Sequence, residues 1–346
     1  MQESHKKTLI VSRFSAFGDV VIAVKVLRAV TKQNPDYKIV FLTKKPFAFL
    51  FQTIESVDVF CPDLKGKHAG MKGLYRLSRE LQAFSPAAYL DTHNVLRTKL
   101  LRFYFAVQGI ASRKIHKGRL AKYRLTRKRR KVFKPLKNSA ERYADVFRAY
   151  GLKADLSDIP KNPIPIPTKE TLQHLPEKSG KWIGIAPFSL HRQKIYPPEK
   201  MREVIKILTQ KDFRLFIFGG GKSEQTQAEA MISGIKNAES LIRRFGMKEE
   251  LALIARMDLM LTMDSGNMHL ASLSDTPLLV IWGGTHPYAG FAPYKNPNYK
   301  AIQIPHSELL CRPCSVYGKK PCHRGDWACM NRLSPDTVSQ MIIDTV

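Results

Sequence analysis

Leu259-Met260-Leu261-Thr262-Met263-Asp264-Ser265-Gly266-Asn267-Met268-His269-Leu270-Ala271-Ser272-Leu273 is an apolar run that breaks at a polar, glycine-containing turn and resumes at helical spacing. It reads as a buried strand handing over to a helix. In open α/β sheets ligands bind at the carboxyl ends of strands, so this loop is a candidate phosphate cradle. Gly266 lets the backbone approach a ligand closely, and the N–H groups of a starting helix favour an anion. Ser265 and His269 add donors beside Asp264. A plain strand-to-helix turn capped by Asp264 or Ser265 satisfies the same spacing, and spacing alone does not separate the two readings.

The same alternation extends on both sides of this loop. Downstream, Leu278-Leu279-Val280-Ile281-Trp282 is strand-like and runs into a glycine-rich loop; upstream, Arg214-Leu215-Phe216-Ile217-Phe218 ends at Gly219-Gly220-Gly221. That glycine loop matches neither the Walker spacing nor G-x-G-x-x-G, although Glu224 behind it is placed to accept from a ribose or simply to begin a helix. Trp182-Ile183-Gly184-Ile185-Ala186 opens this half and leads into a basic loop holding Ser189, Arg192 and Lys194, before a helix expected over 198–210. A fixed cation there suits a leaving diphosphate; a solvated basic loop is the plainer alternative.

Residues 159–167 carry four prolines, which neither a helix nor a central strand tolerates, so the segment 161–167 reads as an interdomain linker. Before it, strand-like runs at 8–12, 38–43, 57–60 and 88–91 alternate with helical stretches, including 140–150. The expectation is an α/β protein of GT-B-like plan: two Rossmann-like domains facing a cleft, covering 1–160 and 168–346, with a carboxy-terminal segment that can cross back to domain one. Asp19 follows the Gly18 loop at the start of the first helix. It suits a base that activates an acceptor hydroxyl, or a first-turn acid that merely stabilises the helix.

The formal charge of +28 divides unevenly: residues 1–160 carry +21 and the remainder +7. The densest part lies within a basic insertion at 112–137, where no acidic residue occurs from Arg113 to Lys137. Such a patch attracts nucleic acid, an anionic membrane or an anionic substrate. No apolar run reaches the roughly 18 to 20 residues of a membrane span, and the first residues do not read as a cleavable signal, so a cytoplasmic location is expected. Cys311, Cys314, Cys322 and Cys329 have the spacing C-x2-C-x7-C-x6-C. It admits a tetrahedral zinc site, with reduced thiols or disulfides as alternatives.

Three ordered motifs give the chain a likeness over nearly its whole length. Arg13-Phe14-Ser15-Ala16-Phe17-Gly18-Asp19-Val20, Lys194-Ile195-Tyr196-Pro197 and Asp264-Ser265-Gly266-Asn267-Met268-His269 resemble the acceptor loop, the lysine-aromatic-proline element and the donor signature of glycosyltransferase family nine, the ADP-heptose:lipopolysaccharide heptosyltransferases. Ser265 stands where that signature commonly has threonine, keeping the hydroxyl. The resemblance implies the GT-B architecture and an inverting, metal-independent transfer of heptose from ADP-heptose to a growing inner core, with no cofactor. It implies Asp19 as catalytic base. Ser189, Lys194, Glu224, Asp264, Ser265, Gly266 and His269 would bind the donor, and Arg13, Ser15, Gly18, Arg97, Lys99 and Arg127 the acceptor.

On this reading the basic half meets an anionic, lipid A-linked sugar acceptor at the inner leaflet of the cytoplasmic membrane, with Tyr123 and Phe133 available to touch lipid. Three alternatives remain: transfer from another sugar-nucleotide donor, a sugar-nucleotide epimerase, and a basic nucleic-acid-binding protein. The last explains the charge but not the donor loop, and nucleic acid is not the expected partner.

Overall fold

The computed structural model describes residues 6–164, 169–173 and 177–346. Pro165, Ile166 and Pro167 of the expected linker lie outside these residues. The chain divides into two compact units, one formed by residues up to 117 with 137–163, the other by 118–136 with 164–346.

The first unit begins with β1 (Lys7–Ser12), α1 (Phe17–Gln33), β2 (Tyr37–Leu42), β3 (Val57–Phe60), α2 (Gly70–Leu81), β4 (Pro86–Asp91), α3 (Leu96–Val107) and β5 (Ala111–Lys114). After the insertion, which holds α4 (Arg119–Thr126), it is completed by α5 (Ser139–Arg148). All five strands are parallel, in the order β3-β2-β1-β4-β5. Leu74, Leu77 and Leu81 of α2 recur at helical spacing and pack with Leu101 and Phe105 of α3 against Ile10, Val40, Leu42 and Tyr89 of the sheet. α1 and α5 pack on each other. β5, Ala-Ser-Arg-Lys, is a mostly exposed edge without the apolar alternation by which strands are recognised in sequence.

The second unit contains α6 (Lys169–Gln173), β6 (Trp182–Ala186), α7 (Pro198–Thr209), β7 (Arg214–Ile217), α8 (Gly221–Ile232), β8 (Ala238–Ser240) and α9 (Met247–Ile254). It continues through β9 (Leu259–Met263), α10 (Gly266–Ala271), β10 (Leu278–Ile281), β11 (Tyr299–Ile302), α11 (Ala328–Asn331) and α12 (Pro335–Ile343). Its six strands are parallel, in the order β11-β10-β9-β6-β7-β8. The central strands β6, β9 and β10 are buried at every residue, which is why they read as continuous apolar runs. The carboxy-terminal helix stays with this unit: α12 packs on α7, with Val338 and Ile342 in the same core as Val204 and Leu208.

The basic insertion, which the sequence attaches to domain one, packs over 118–136 with the second unit. Phe133 stacks on His306 with ring centroids 3.7 Å apart and also meets His286 and Tyr288. The Lys131 ammonium donates to the carbonyls of Cys311, Pro313 and Leu310 at 2.7, 2.9 and 3.2 Å. Phe133, expected to touch lipid, is thus occupied within the protein, because its ring gains more from a stacked aromatic partner than from water. Tyr123 remains exposed.

Candidate functional site

In the first unit, β1 delivers the chain into the loop Arg13–Ala16, and α1 starts at Phe17, so Asp19 falls in the first helical turn. Its carboxylate pairs with the Arg13 guanidinium through Oδ2 and accepts a 3.0 Å hydrogen bond from the Tyr143 hydroxyl through Oδ1. Arg13 is held from its other side by the Thr92 carbonyl at 2.8 Å, and its Cζ lies 5.4 Å from the centroid of the Tyr143 ring. The carboxylate is therefore fixed in orientation by two groups while its side chain keeps 23% exposure, enough for a substrate to reach it.

Ser15 Oγ lies 3.4 Å from His93 Nε2. Burial and the neighbouring Arg13 and Lys117 charges push the His93 pKa down to about 3, so the ring is neutral at physiological pH. His93 Nδ1 and Arg13 Nε are buried without a partner among the described residues. His93 is itself positioned by Asp91, whose Oδ1 accepts the His93 and Asn94 amides while Oδ2 pairs with Arg102 at 2.9 Å. Arg13, Ser15, Gly18 and Asp19 share one loop and helix start, and His93, Asp91 and Tyr143, which the sequence did not single out, are tied to it. Arg97 and Lys99 are exposed on the first turn of α3. Arg127 belongs instead to the insertion that packs with the second unit, where its Nε donates to the Arg130 carbonyl at 2.5 Å.

In the second unit the candidate donor residues gather at the carboxyl ends of three neighbouring strands. Lys194, in the loop after β6, places its ammonium 2.9 Å from Asp264 Oδ2, and both side chains are largely buried. Ser189 Oγ donates to the Asp264 carbonyl at 3.2 Å, tying the same loop to the end of β9. Ser265 occupies the cap position of α10 with an extended backbone, yet its hydroxyl caps nothing. Ser265 Oγ is buried without a partner among the described residues. A buried hydroxyl left unpaired costs about 1–3 kcal/mol, which a ligand oxygen would recover. Gly266 opens α10, and His269 is buried on it. Glu224, in the first turn of α8, turns one oxygen back to the Gly220 amide at 2.7 Å, so the helix-start reading of this residue holds for that oxygen.

A third loop, the glycine-rich one after β10 to which the sequence assigns no role, supports these two. Gly283 and Gly284 follow β10 against Gln193: the Gly284 amide donates to the Gln193 carbonyl at 3.0 Å. A Cβ on Gly283 would come within 2.6 Å of that carbonyl, so glycine allows the approach. The carbonyls of Trp282, Gly283 and Thr285 converge with Ile304 and the Gln303 amide oxygen on the fully buried guanidinium of Arg312. The signal for Arg312 lay inside Cys311-Arg312-Pro313-Cys314, a motif read only for its thiols.

All five cysteines are free. Cys314 Sγ points to Gln193 Oε1 and the Gly284 carbonyl at 3.5 and 3.6 Å. Among the described residues no group of three His, Cys, Asp or Glu side chains is placed to hold a metal ion.

Two parallel-sheet Rossmann-like units, with charged loops gathered at their strand ends, define the architecture of a GT-B glycosyltransferase. The model of glycosyltransferase family 9 (heptosyltransferase) matches residues 74–320, and the chain belongs to that family. It is 31% identical over 128 residues to lipooligosaccharide heptosyltransferase 2 of Campylobacter jejuni, a match covering 36% of this chain and 38% of that protein's length. It is 23% identical over 301 residues to the lipopolysaccharide core heptosyltransferase OpsX of Haemophilus influenzae, covering 84% of this chain and 82% of the relative. Escherichia coli heptosyltransferase WaaC, solved with ADP, superimposes with a TM-score of 0.68 at 18% identity, over 98% of this chain and 100% of that one, a likeness of fold.

Proposed function

We propose that this protein is an inverting glycosyltransferase that moves a heptose from ADP-heptose to the inner core of lipopolysaccharide, on a lipid A-linked acceptor. The observation that carries the reading is the buried Ser265 hydroxyl, without a partner among the described residues, beside the Lys194–Asp264 pair, a polar cradle suited to an anionic donor. Membership of the heptosyltransferase family and similarity to a lipopolysaccharide core heptosyltransferase support the sugar and the acceptor class. The ADP held by WaaC supports the nucleotide.

In this mechanism Asp19 takes the proton of the acceptor hydroxyl as its oxygen bonds to the anomeric carbon, from the face opposite the diphosphate. The bond from that carbon to the diphosphate breaks, ADP leaves with the electron pair, and the configuration inverts. Lys194, Ser265 and the amides around Gly266 meet the charge developing on the diphosphate. Ser189, Asp264 and His269 shape the cradle, and Glu224 keeps one oxygen for the ribose. Tyr143 and Arg13 hold Asp19 in line, while Ser15, Gly18, Arg97 and Lys99 receive the acceptor. A lipid-linked acceptor would bring the enzyme to the inner face of the cytoplasmic membrane; among the described residues no helix is long and apolar enough to cross one.

Asp19→Asn tests the base. Turnover should fall by roughly 10²–10⁴ while ADP-heptose still binds, read by ADP release and by calorimetry. Near-normal turnover with normal donor binding would remove Asp19 from this role.

A further inference from the structure

Eleven large apolar side chains are exposed among the described residues, and five of them, Met71, Tyr75, Leu96, Phe103 and Val107, stand on α2 and α3. The two helices pack side by side. Tyr75 and Tyr104 cross between them with centroids 5.5 Å apart, and the Tyr104 hydroxyl donates to the Met71 carbonyl at 3.2 Å. Along this seam runs a groove of about 600 Å³ lined by Met71, Lys72, Tyr75, Arg76, Arg79 and Tyr104. The inward positions Leu74, Leu77, Leu81, Leu101 and Phe105 already fill the core, so the outward apolar groups have no folding role.

The charge on this face has one sign. α3 contains no acidic residue, and the only one on α2, Glu80, is paired with Lys67 and His68 at 2.8 and 3.1 Å. Lys72, Arg76 and Arg79 are exposed beside the aromatic side chains. A second copy docked here would set these cations against their own kind, which opposes a self-complementary dimer. Cations mixed with leucine and aromatic side chains fit a bilayer interface: the cations meet lipid phosphates and the rings enter the headgroup layer.

We infer that the α2–α3 face is the surface by which the protein lies on an anionic membrane. The inference extends the lipid-linked acceptor of the proposed function, but it stands on this surface and is measured without donor or acceptor. The test is co-sedimentation of the full chain with vesicles of phosphatidylethanolamine and phosphatidylglycerol, against phosphatidylcholine alone, at low and high salt.

The wild-type chain should bind the anionic vesicles, less so at high salt. Lys72→Glu, Arg76→Glu and Arg79→Glu together should weaken binding roughly a hundredfold, and Phe103→Ser roughly tenfold. Both variants should keep the wild-type melting temperature and ADP release with a soluble, deacylated acceptor. Loss of that release in the wild type would count against the transferase reading and leave the vesicle result standing. Undiminished vesicle binding by both variants would overturn the inference. So would loss only when the exposed run Lys128, Arg129 and Arg130 is reversed, or a wild-type dimer in sedimentation velocity that the α2–α3 variants dissociate.

Discussion

Replacing Arg312 with leucine should loosen the second unit and, on the proposed function, weaken by the same route the hold on ADP that this function requires. Burial lowers the Arg312 pKa only to about 10, so the guanidinium is charged at neutral pH although wholly buried. It donates to Gly283 O at 2.7 Å, Trp282 O at 2.9 Å, Gln303 Oε1 at 3.0 Å and Thr285 O at 3.3 Å, and also to Ile304 O. Leucine strands all five acceptors, at about 1 kcal/mol each on the low side. Against this, a cation no longer has to be kept out of water, which returns a few kcal/mol.

The net loss is about 2–3 kcal/mol, or roughly 5–10 °C in melting temperature for a unit of this size. Arg312→Lys offers one nitrogen with three donors and should recover no more than about half. Because Gly284 holds the Gln193 carbonyl next to Lys194, ADP affinity should fall about tenfold in Arg312→Leu, or about 1.4 kcal/mol. Differential scanning calorimetry and ADP titration read both effects. A leucine variant that melts within about 1 °C of the wild type and binds ADP as tightly would refute the carbonyl-cage argument.

Glu250 on α9 has its pKa raised from 4.5 to about 7 by burial and by Glu249 beside it. Between those values the folded chain keeps a proton that the unfolded chain has lost, so stability should decline as pH rises from about 4.5 to 7 and then level off. Glu250→Gln should remove up to about 3 kcal/mol of that decline, melting like the wild type at pH 4 and higher at pH 8; identical curves at both would count against it. Gly283→Ala should force back the Gln193 carbonyl and the Met330 methyl, which lie 2.6 and 2.5 Å from the new Cβ. The expected cost is about 1–3 kcal/mol with weaker ADP binding, and unchanged titration and melting curves would show that the loop has slack.

The central strands were readable because burial on both faces makes β6, β9 and β10 uninterrupted apolar runs, and the polar turn at Asp264-Ser265-Gly266 marks the end of β9. The short edge strands β5, β8 and β11 carry too few buried residues to leave such a pattern. Residues that lie inside a motif, such as Asp19 and Lys194, stand out as candidates along with it. Tyr143 does not, since it reaches Asp19 from 124 residues away, and no local period records such a contact. His93 and Gln193 were missed for a related reason: each matters through the loop it supports. Charge density attaches the insertion to the first domain but says nothing about where Phe133 stacks, and its partner His306 is far along the chain.

That stacking has a practical consequence for anyone who would cut the molecule in two. The proline-rich segment near residue 163 looks like the natural place to part the units, but the chain also passes from one to the other near 117 and 136. A fragment beginning at residue 168 would therefore lack part of its own interior, leaving His306 without the Phe133 ring and the carbonyls of Cys311 and Pro313 without the Lys131 ammonium. To produce the second unit alone, 118–136 has to be supplied as well, grafted through a new connection or added back as a peptide.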